Sequence, residues 1–370
     1  MNTRILFVGL EVDDKAFHAC LSAQFGDEEF EVSCKPSVSA LIKKLEKYRE
    51  QGWELKICYE ATYLGFSVCR DLRKAGLQCN VVAPALIPET PGPRVKTDKL
   101  DSRKLAKYYK ANLLTMIHVP EIEDEVIRDL LRSRAFLAEK LKSTKSHIIS
   151  LCRRMGLNYR EVTGQKNYWT AKHVQWLRSE ISKTKSHALQ FNLHSLLSHS
   201  EQILEQIKTY DGEIGAFSQI PRLQKKVAAL ICYRGIDKIT AMTIATELGD
   251  TNRFSHPKRL VSFAGMDISE YSSGGHEKKF RITKMGNPFV RTAVIEASQH
   301  AFRKPGISRA LRQRRENADP KFVDIADRCM NRLYRKSTRL LFAGKIRNKV
   351  KVAAAREMLG FIWESMRTAA

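Results

Sequence analysis

The sequence lacks the cysteine pairs that small metal-binding and disulfide-rich domains need. Its eight cysteines are scattered along 370 residues without a Cys-x-x-Cys pair, which excludes a zinc knuckle and a disulfide framework. It also lacks long apolar runs, since the stretch RILFVGLEV near the start is far shorter than a membrane span. No small-residue cleavage site follows that stretch, as a secretory signal would require. These absences predict a cytoplasmic protein with reduced, mostly buried thiols.

Acidic residues are few relative to basic ones. The chain has 64 Lys and Arg against 40 Asp and Glu, a formal net charge of +24. A field of that sign attracts polyanions and speeds their association. An acidic membrane surface would also suit the charge, but no basic helix with an apolar anchoring face stands out. Nucleic acid is therefore the predicted partner, and no membrane association is expected.

The length of the chain predicts two or three domains. The residue pattern divides it into a first domain at 1–120, a helical coiled-coil region at 121–220 and a mostly helical domain at 221–370. Alternating apolar residues in the first domain predict three antiparallel strands, then helix, strand, helix, strand and helix. The predicted elements are RILFVGLEV, FHACLSAQ, FEVSCK, SALIKKLEKYREQG, LKICYEA, GFSVCRDLRKAG, CNVVAP and the helix containing Asp98 and Asp101. That order favours an α/β fold with a mixed sheet, of the kind found in ribonuclease H-like domains.

The region 121–220 has the spacing of long packed helices. Its apolar residues form two seams, the first with steps of four and three, as a coiled-coil seam requires, and the second with roughly similar spacing. The first seam comprises Leu130, Leu137, Leu141, Ile148, Leu151 and Met155, and the second comprises Leu177, Ile181, Phe191, Leu193, Leu197, Leu204 and Ile207. Two antiparallel helices within one chain and a stalk between two chains both agree with this pattern.

The last region is predicted to contain helices separated by loops. The stretch CYRGIDKITAMTIATELGD has the size of a helix–turn–helix unit with its turn at Gly235. Part of it is similar to the first half of a phosphate-gripping helix–hairpin–helix, although Asp237 replaces the usual second glycine, and a plain helix start is the alternative. The stretch SSGGHEKK is predicted to be a flexible basic loop. FRKPGISRALRQRREN and NRLYRKSTRLL are predicted to be arginine-rich helices.

Basic side chains in three places are predicted to contact nucleic-acid phosphate. They lie around the aspartate helix, in and after the SSGGHEKK loop, and in the arginine-rich helices. The predicted contacts are Arg94, Lys96, Lys99, Lys278, Lys279, Arg281, Lys284, Arg314, Arg315 and Arg335. A solvated helix face is the alternative for the arginines, and nothing among these residues indicates base readout.

Four acidic residues of the first domain could converge on one site. Glu11 lies at the end of the first strand and Glu60 at the end of the fourth, at the sheet edge where α/β folds usually bind ligands. Asp98 and Asp101 open the next helix on one face. Converging carboxylates repel one another unless a cation joins them, and hard oxygen ligands suit Mg²⁺ or Mn²⁺. Helix capping by Asp98 and a dipole contact by Asp101 are the alternative, which is favoured when these two residues are taken alone.

Two blocks of motifs resemble a known family. They are FVGLEV…YEAT…VVAPALIPETPG…VKTDKLDSRKLA in the first domain, and FAGMDISEYSSGG…RITKMGNPFVRTAV with KVAAAREMLGFIW in the last. These blocks resemble the DEDD transposases of insertion-sequence family one-ten, which include the Piv/MooV-type DNA invertases. The resemblance covers nearly the whole chain, and the helical middle is its least diagnostic part.

The resemblance implies particular site residues. It implies a RuvC-like first domain with an Mg²⁺-binding carboxylate tetrad, which by motif is Glu11, Glu60, Asp98 and Asp101. The family pattern has aspartate at the first of these positions, where this chain has Glu11. It further implies a nucleophilic serine after the FAG block, which position matching assigns to Ser273, with Ser272 adjacent.

The resemblance also implies partners and a reaction. The substrate would be DNA, both the element ends and the target, cut and rejoined through a covalent phosphoserine link. Recognition would be guided by an RNA from the same element, in a homo-oligomer of dimers that pair into a tetramer. The serine and the carboxylates would form a composite site, and the protein would act at the bacterial nucleoid.

Two other functions agree with the residues. A RuvC-like junction nuclease would keep the metal-binding carboxylates and cleave with activated water, without covalent serine chemistry. A non-enzymatic nucleic-acid-binding protein would use the acids only as helix caps.

Overall fold

The computed structural model describes residues 4–88, 97–273 and 276–369, with the backbone alone for residues 272, 273 and 276–279. Contacts within the chain divide it into two compact units, Met1–Pro120 and Glu121–Ala370. Within the described ranges, every helix is too short or too polar to cross a membrane.

The first unit is built on one mixed sheet. Its elements in chain order are β1 (Arg4–Val12), β2 (Phe17–Ala23), β3 (Glu29–Cys34), α1 (Val38–Glu50), β4 (Trp53–Glu60), α2 (Ser67–Lys74), β5 (Gln78–Val82), a 3₁₀ turn (Pro84–Leu86), α3 (Asp98–Lys110) and β6 (Met116–Ile117). The sheet order is β3-β2-β1-β4-β5-β6. Strands β1, β4 and β5 run parallel, while β2, β3 and β6 pair antiparallel. The mixed α/β prediction is thus confirmed, and the short edge strand β6 is an element that the sequence did not predict.

The two faces of this sheet are covered by different helices. Leu6, Val8 and Leu10 of β1 are fully buried in one cluster with Leu41 of α1 and Leu72 of α2. Helix α3 covers the opposite face, where it packs against β1 and β2. Side chains alternate along a strand, so each strand supplies one set of residues to α1 and α2 and the other set to α3.

The second unit is mostly helical. Its elements are α4 (Ile122–Arg154), α5 (Tyr159–Thr163), α6 (Ala171–Lys183), α7 (His187–Phe217), α8 (Pro221–Ile231), α9 (Lys238–Leu248), a 3₁₀ turn (Thr251–Arg253), α10 (Pro257–Phe263), β7 (Ile268–Ser273), β8 (His276–Ile282), α11 (Pro288–Ala297), a 3₁₀ turn (Ser298–Phe302), α12 (Arg309–Arg315), α13 (Pro320–Phe342) and α14 (Arg347–Thr368). Helices α8, α9, α11, α13 and α14 share one large apolar core.

Helices α4 and α7 form an antiparallel pair within the chain. Arg134 in the first half of α4 binds Asp211 near the end of α7, at 2.8 Å from Nε to Oδ1. Further along α4, Leu141 packs with Ile203 and Ile207. Of the two arrangements that the seam allowed, the structure therefore contains the antiparallel pair.

Part of the predicted seam lies outside this contact. Met155 is 50% exposed because it follows the last residue of α4, and Phe191 and Leu204 on α7 are 69% and 40% exposed. Their inclusion in the packed seam was wrong, since a helix of 3.6 residues per turn drifts away from a strict seven-residue repeat.

The cysteines do not form disulfides. All eight are free, and every one except the half-buried Cys34 is buried. Burial raises the pKa of the Cys20 thiol and of the Cys152 thiol to about 11.

Candidate active site

The sheet end that carries Glu11 faces helix α3. A methyl group added at Gly9 of β1 would lie 2.1 Å from the carbonyl oxygen of Ser102 and 2.3 Å from the amide nitrogen of Ala106. The backbones of β1 and α3 therefore touch at Gly9, which only glycine permits. Because Glu11 follows Gly9 by two residues, alternation places it on the same face.

Glu60 lies on this face as well. Cys58 precedes Glu60 by two residues in β4, so both side chains are on the same face of the sheet. Cys58 packs with Val82 and with Leu105 of α3. Glu60 ends β4, which runs parallel to β1 with Leu10 opposite Tyr59. Glu11 and Glu60 are the residues that follow Leu10 and Tyr59, so they lie at the same end of the sheet.

Helix α3 begins with the two predicted aspartates. Thr97 is its N-cap, and the threonine side chain accepts a hydrogen bond from the backbone N–H of Leu100 at 3.3 Å. The capping role considered for Asp98 is therefore wrong, since Asp98 is the first residue of the helix. Both Asp98 and Asp101 lie in the first turn, where a carboxylate complements the helix dipole.

A histidine joins the carboxylates at this end of the sheet. Nε2 of His18 lies 4.0 Å from Oδ2 of Asp98, and Nδ1 of His18 is 2.8 Å from the hydroxyl of Ser33. His18 is also the cross-strand partner of Glu11, so the two side chains share a face. Sequence reasoning missed His18, and only the β1–β2 register could have indicated it.

The predicted metal ligands are not gathered into a ligand set. Glu11, Glu60, Asp98 and Asp101 all lie on the α3 side of the sheet. Yet among the described residues no three His, Cys, Asp or Glu side chains are close enough to hold a metal ion. The oxygen donors suit Mg²⁺ or Mn²⁺ chemically, but their spacing here does not fit one ion, so metal binding stays a prediction.

Lys99, which lies between the two aspartates in the sequence, already has an acidic partner. Nζ of Lys99 lies 3.8 Å from Glu31 of β3, and Arg103 donates to the same carboxylate at 2.6 Å. That hydrogen bond from Arg103 to Glu31 raises the pKa of Arg103. Exposed pairs of this kind contribute little to stability, which leaves Lys99 able to exchange Glu31 for a phosphate. Arg94 and Lys96 lie outside the described residues.

Most of the predicted SSGGHEKK loop lies in two paired strands, so its prediction as a flexible loop was wrong for residues 272–273 and 276–279, while residues 274 and 275 lie outside the described residues. Strand β7 ends at Ser273 and pairs with β8, with Ser272 opposite Glu277 and Ser273 opposite His276. Ser273 and His276 thus form the last residue pair of this ladder. The side chains of Ser272, Ser273, Lys278 and Lys279 lie outside the description, and their proposed roles stay predictions.

The base of the hairpin is held by close backbone contact. The amide of Lys284 donates to the carbonyl of Gly265 at 2.9 Å, and the amide of Asn287 donates to Phe263 at 2.7 Å. A methyl group at Gly286 would lie 2.4 Å from the Phe263 carbonyl oxygen, so a side chain there would force the two segments apart.

An arginine completes this base. Nη1 of Arg291 on α11 donates to the carbonyls of Ala264 at 2.9 Å and Lys284 at 3.2 Å. These carbonyls belong to the segments that enter and leave the hairpin. Burial lowers the pKa of the Arg291 guanidinium.

A buried carboxylate ties the base of the hairpin to α4. Glu247 on α9 has a side chain only 2% exposed, and it accepts two hydrogen bonds from Arg132 on α4, at 2.9 and 3.0 Å. Its third hydrogen bond comes from the side-chain amide of Asn287, at 2.8 Å, and Asn287 also caps α11. Burial works to lower the pKa of Arg132, but the hydrogen bonds to Glu247 outweigh it and the pKa is raised.

Replacing Arg132 is expected to destabilise the protein, because Arg132 is the cation that pairs with the buried Glu247 carboxylate. Arg132→Met leaves the Glu247 carboxylate buried without its cation, which lowers the free energy of unfolding by about 3 kcal/mol. Urea denaturation of the full chain measures this loss, and adding Glu247→Gln to Arg132→Met recovers most of it. The control is Arg134→Met, because its partner Asp211 is 37% exposed and the loss there is about 1 kcal/mol or less. Equal losses in the two variants would contradict this account.

The predicted arginine contacts differ in their surroundings. Arg315 is buried, donating to the Cys232 carbonyl and to Asp327 at 2.9 and 2.8 Å, and this burial argues against a nucleic-acid contact. Arg314 donates to the Ile236 carbonyl, and burial lowers its pKa. Arg335 on α13 is exposed and stays a predicted phosphate contact, as do the exposed Arg281 in β8 and the exposed Lys284 two residues after that strand.

The turn at Gly235 has a structural role. Its φ is +89°, and a methyl group there would lie 2.7 Å from the Ala297 carbonyl oxygen. Asp237 caps α9 by accepting a hydrogen bond from the Thr240 amide at 2.8 Å. A turn packed this closely favours the plain helix start over a phosphate-gripping hairpin.

Comparisons with known proteins agree on one family. The sequence pattern described as "Transposase IS116/IS110/IS902 family" matches residues 228–313, a segment that contains the hairpin, its base and Glu247. The chain is 31% identical over 368 residues to the putative transposase y4qE of Sinorhizobium fredii (strain NBRC 101917 / NGR234), covering 99% of this chain and 90% of that relative. It is 27% identical over 337 residues to the transposase for insertion sequence element IS1533 of Leptospira borgpetersenii, covering 90% of this chain and 96% of the relative. The chain therefore belongs to the IS116/IS110/IS902 family of transposases.

Proposed function

We propose that this transposase cuts and rejoins DNA through a covalent link to Ser273. The Ser273 hydroxyl would attack a backbone phosphorus, forming a phosphoserine ester while a deoxyribose hydroxyl leaves with the serine proton. Attack by a hydroxyl of another strand would restore the phosphodiester and release the serine. The observation that carries this proposal is the place of Ser273 in the last pair of a hairpin whose base is fixed by main-chain hydrogen bonds.

We further propose that the first unit is RuvC-like and that Glu11, Glu60, Asp98 and Asp101, which are too far apart here to share an ion, move together to bind Mg²⁺. The sheet order, and the position of these acids on the α3 side of the sheet, support the proposal. Mg²⁺ held there would stabilise negative charge on the phosphate. Glu11 reaches one carbon–carbon bond further than the aspartate of the family pattern, and we expect small shifts of α3 to accommodate it.

We also propose an RNA guide and an oligomer. The net charge of +24 is larger than a single duplex requires and suits two nucleic acids. Exposed aromatic residues on the paired helices, Phe136 and Phe191 at 60% and 69%, suit contacts between subunits.

A covalent-trapping assay tests the metal part of this function. The purified protein with its co-purifying RNA is incubated in Mg²⁺ with labelled DNA that spans the joined ends of its element. The wild type is expected to give a protein–DNA adduct on denaturing gels. Asp101→Asn is expected to reduce adduct formation at least about a hundredfold, because removing one charged ligand weakens metal binding at a site that depends on it.

The control for this assay is Asp71→Asn on α2. Asp71 is exposed and lies in a helix that covers the other face of the sheet, so adduct formation should not change. Equal adduct formation in Asp101→Asn and the wild type would refute the metal role. Cleavage without any adduct would instead indicate the junction nuclease.

A further inference from the structure

The C-terminal part of α4 and the N-terminal part of α7, with the residues between them, have an apolar core of their own. This region comprises residues 142–200 and is called the bundle tip here. Its apolar cluster joins Ile148 and Leu151 of α4, Leu177 of α6 and Leu193 of α7. This cluster is distinct from the large core of the second unit, so the bundle tip is held together by its own contacts.

Charge is divided sharply along the helix pair. The bundle tip contains ten Lys and Arg against two Asp and Glu, whereas residues 122–141 and 201–217 together contain five against nine. The acidic half also uses its arginines internally, since Arg128 donates to the Thr246 carbonyl and Arg132 binds Glu247. A helix pair stabilised only by surface ion pairs would mix both signs along its length.

Most cations of the bundle tip have no acidic partner. Lys142, Arg178 and Lys183 pair with Glu139, Glu201 and Glu180. The remaining cations have no carboxylate within salt-bridge distance in the described part of the chain. They are Lys145, Arg153, Arg154, Arg160, Lys166, Lys172 and Lys185.

Aromatic rings give several of these cations a fixed support. The guanidinium of Arg160 lies 4.9 Å from the ring centre of Tyr168, and Nζ of Lys145 lies 5.1 Å from that of Trp169. Behind them, Tyr159 and His173 pack edge to face at 4.6 Å, and burial lowers the pKa of His173. Cations held on rings lose less side-chain entropy when they bind an anion.

We propose that the bundle tip binds the phosphate backbone of duplex DNA, at a distance along α4 from the hairpin base. Lys and Arg side chains without carboxylate partners, several of them held on aromatic rings, are suited to bind successive phosphates of a duplex. Phosphate contacts position a duplex without reading its sequence. DNA is favoured over RNA because the chain is a transposase, whose substrate is DNA. The proposal does not depend on Ser273 or on the carboxylates.

Neutralising three exposed cations tests the proposal. The variant Arg154→Gln/Lys166→Gln/Lys172→Gln avoids every cation that contacts a ring. Its affinity for a fluorescent 30-base-pair duplex is measured by anisotropy between 50 and 300 mM salt, with EDTA present so that no cleavage occurs. We expect about tenfold or more weaker binding at 0.1 M salt and a salt slope smaller by about two to three, since each lost phosphate contact removes about 0.9.

The matched control removes the same charge elsewhere. Lys35→Gln/Lys43→Gln/Lys74→Gln changes exposed lysines of the first unit, and Arg154→Lys/Lys166→Arg/Lys172→Arg keeps the charge of the bundle tip. Both are expected to bind as the wild type does. Equal weakening in the first control, or weakened binding of an RNA duplex with DNA binding intact, would overturn the proposal.

Discussion

Ser273→Ala is expected to lower DNA strand transfer by at least about 10⁴-fold and to abolish the protein–DNA adduct. Alanine removes the hydroxyl oxygen that is proposed to form the ester bond, and loss of a nucleophile in covalent catalysis has effects of this size. The substitution removes one atom at the end of β7, beyond the segments that fix the hairpin base, so the fold should be kept. Adduct formation and strand transfer are measured on the same DNA in Mg²⁺, and unfolding by urea checks the fold.

Ser272→Ala is the matched control, because it removes the same group one residue earlier in the strand. It is expected to retain strand transfer within about tenfold of the wild type. Peptide mapping of the wild-type adduct should find the nucleotide on Ser273. Loss of the adduct in Ser272→Ala alone would indicate that Ser272 is the nucleophile. Full cleavage in both variants would contradict the covalent proposal.

Gly9→Ala is expected to destabilise the first unit by about 3 kcal/mol or more. The added methyl group would lie 2.1 Å from the Ser102 carbonyl oxygen and 2.3 Å from the Ala106 amide nitrogen. Both are main-chain atoms, so no side-chain rotation can relieve the clash and α3 must move off β1. Because α3 carries Asp98 and Asp101, adduct formation should fall together with stability.

Gly212→Ala provides the control for this substitution. Gly212 lies within α7, and a methyl group there would meet no atom within 4 Å. Alanine favours a helix over glycine by about 0.5–1 kcal/mol, so this variant should be slightly more stable than the wild type. Urea denaturation compares the two variants, and a Gly9→Ala protein as stable as the wild type would contradict the close contact of α3 and β1.

Local patterns predicted the first unit well. Strand β1 spans the predicted stretch, Arg4–Val12, because a short apolar run between polar residues is typical of a strand with a buried face. The apolar patterns of β1 and β4 likewise predict that Glu11 and Glu60 lie where these strands end, and both residues are found there. These features depend on neighbouring residues in the sequence, which a single chain displays directly.

Features that depend on distant pairings were not predicted. The two-residue strand β6 exists because Met116 and Ile117 pair with β5, and so short a strand has no period of its own. His18 lies near Asp98 only through the packing of α3 on β2. Glu247 sits in an ordinary helical stretch, and only the fold brings Arg132 and Asn287 to its carboxylate.

The eight cysteines have a practical consequence for following this protein at work. Seven are buried and Cys34 is half-buried, so the native chain offers almost no accessible thiolate to a maleimide dye. A cysteine introduced at Lys166, which is exposed in the bundle tip, would be the dominant labelling site without removal of any native thiol. One fluorophore there would report, in real time and in single molecules, when the bundle tip binds a labelled duplex.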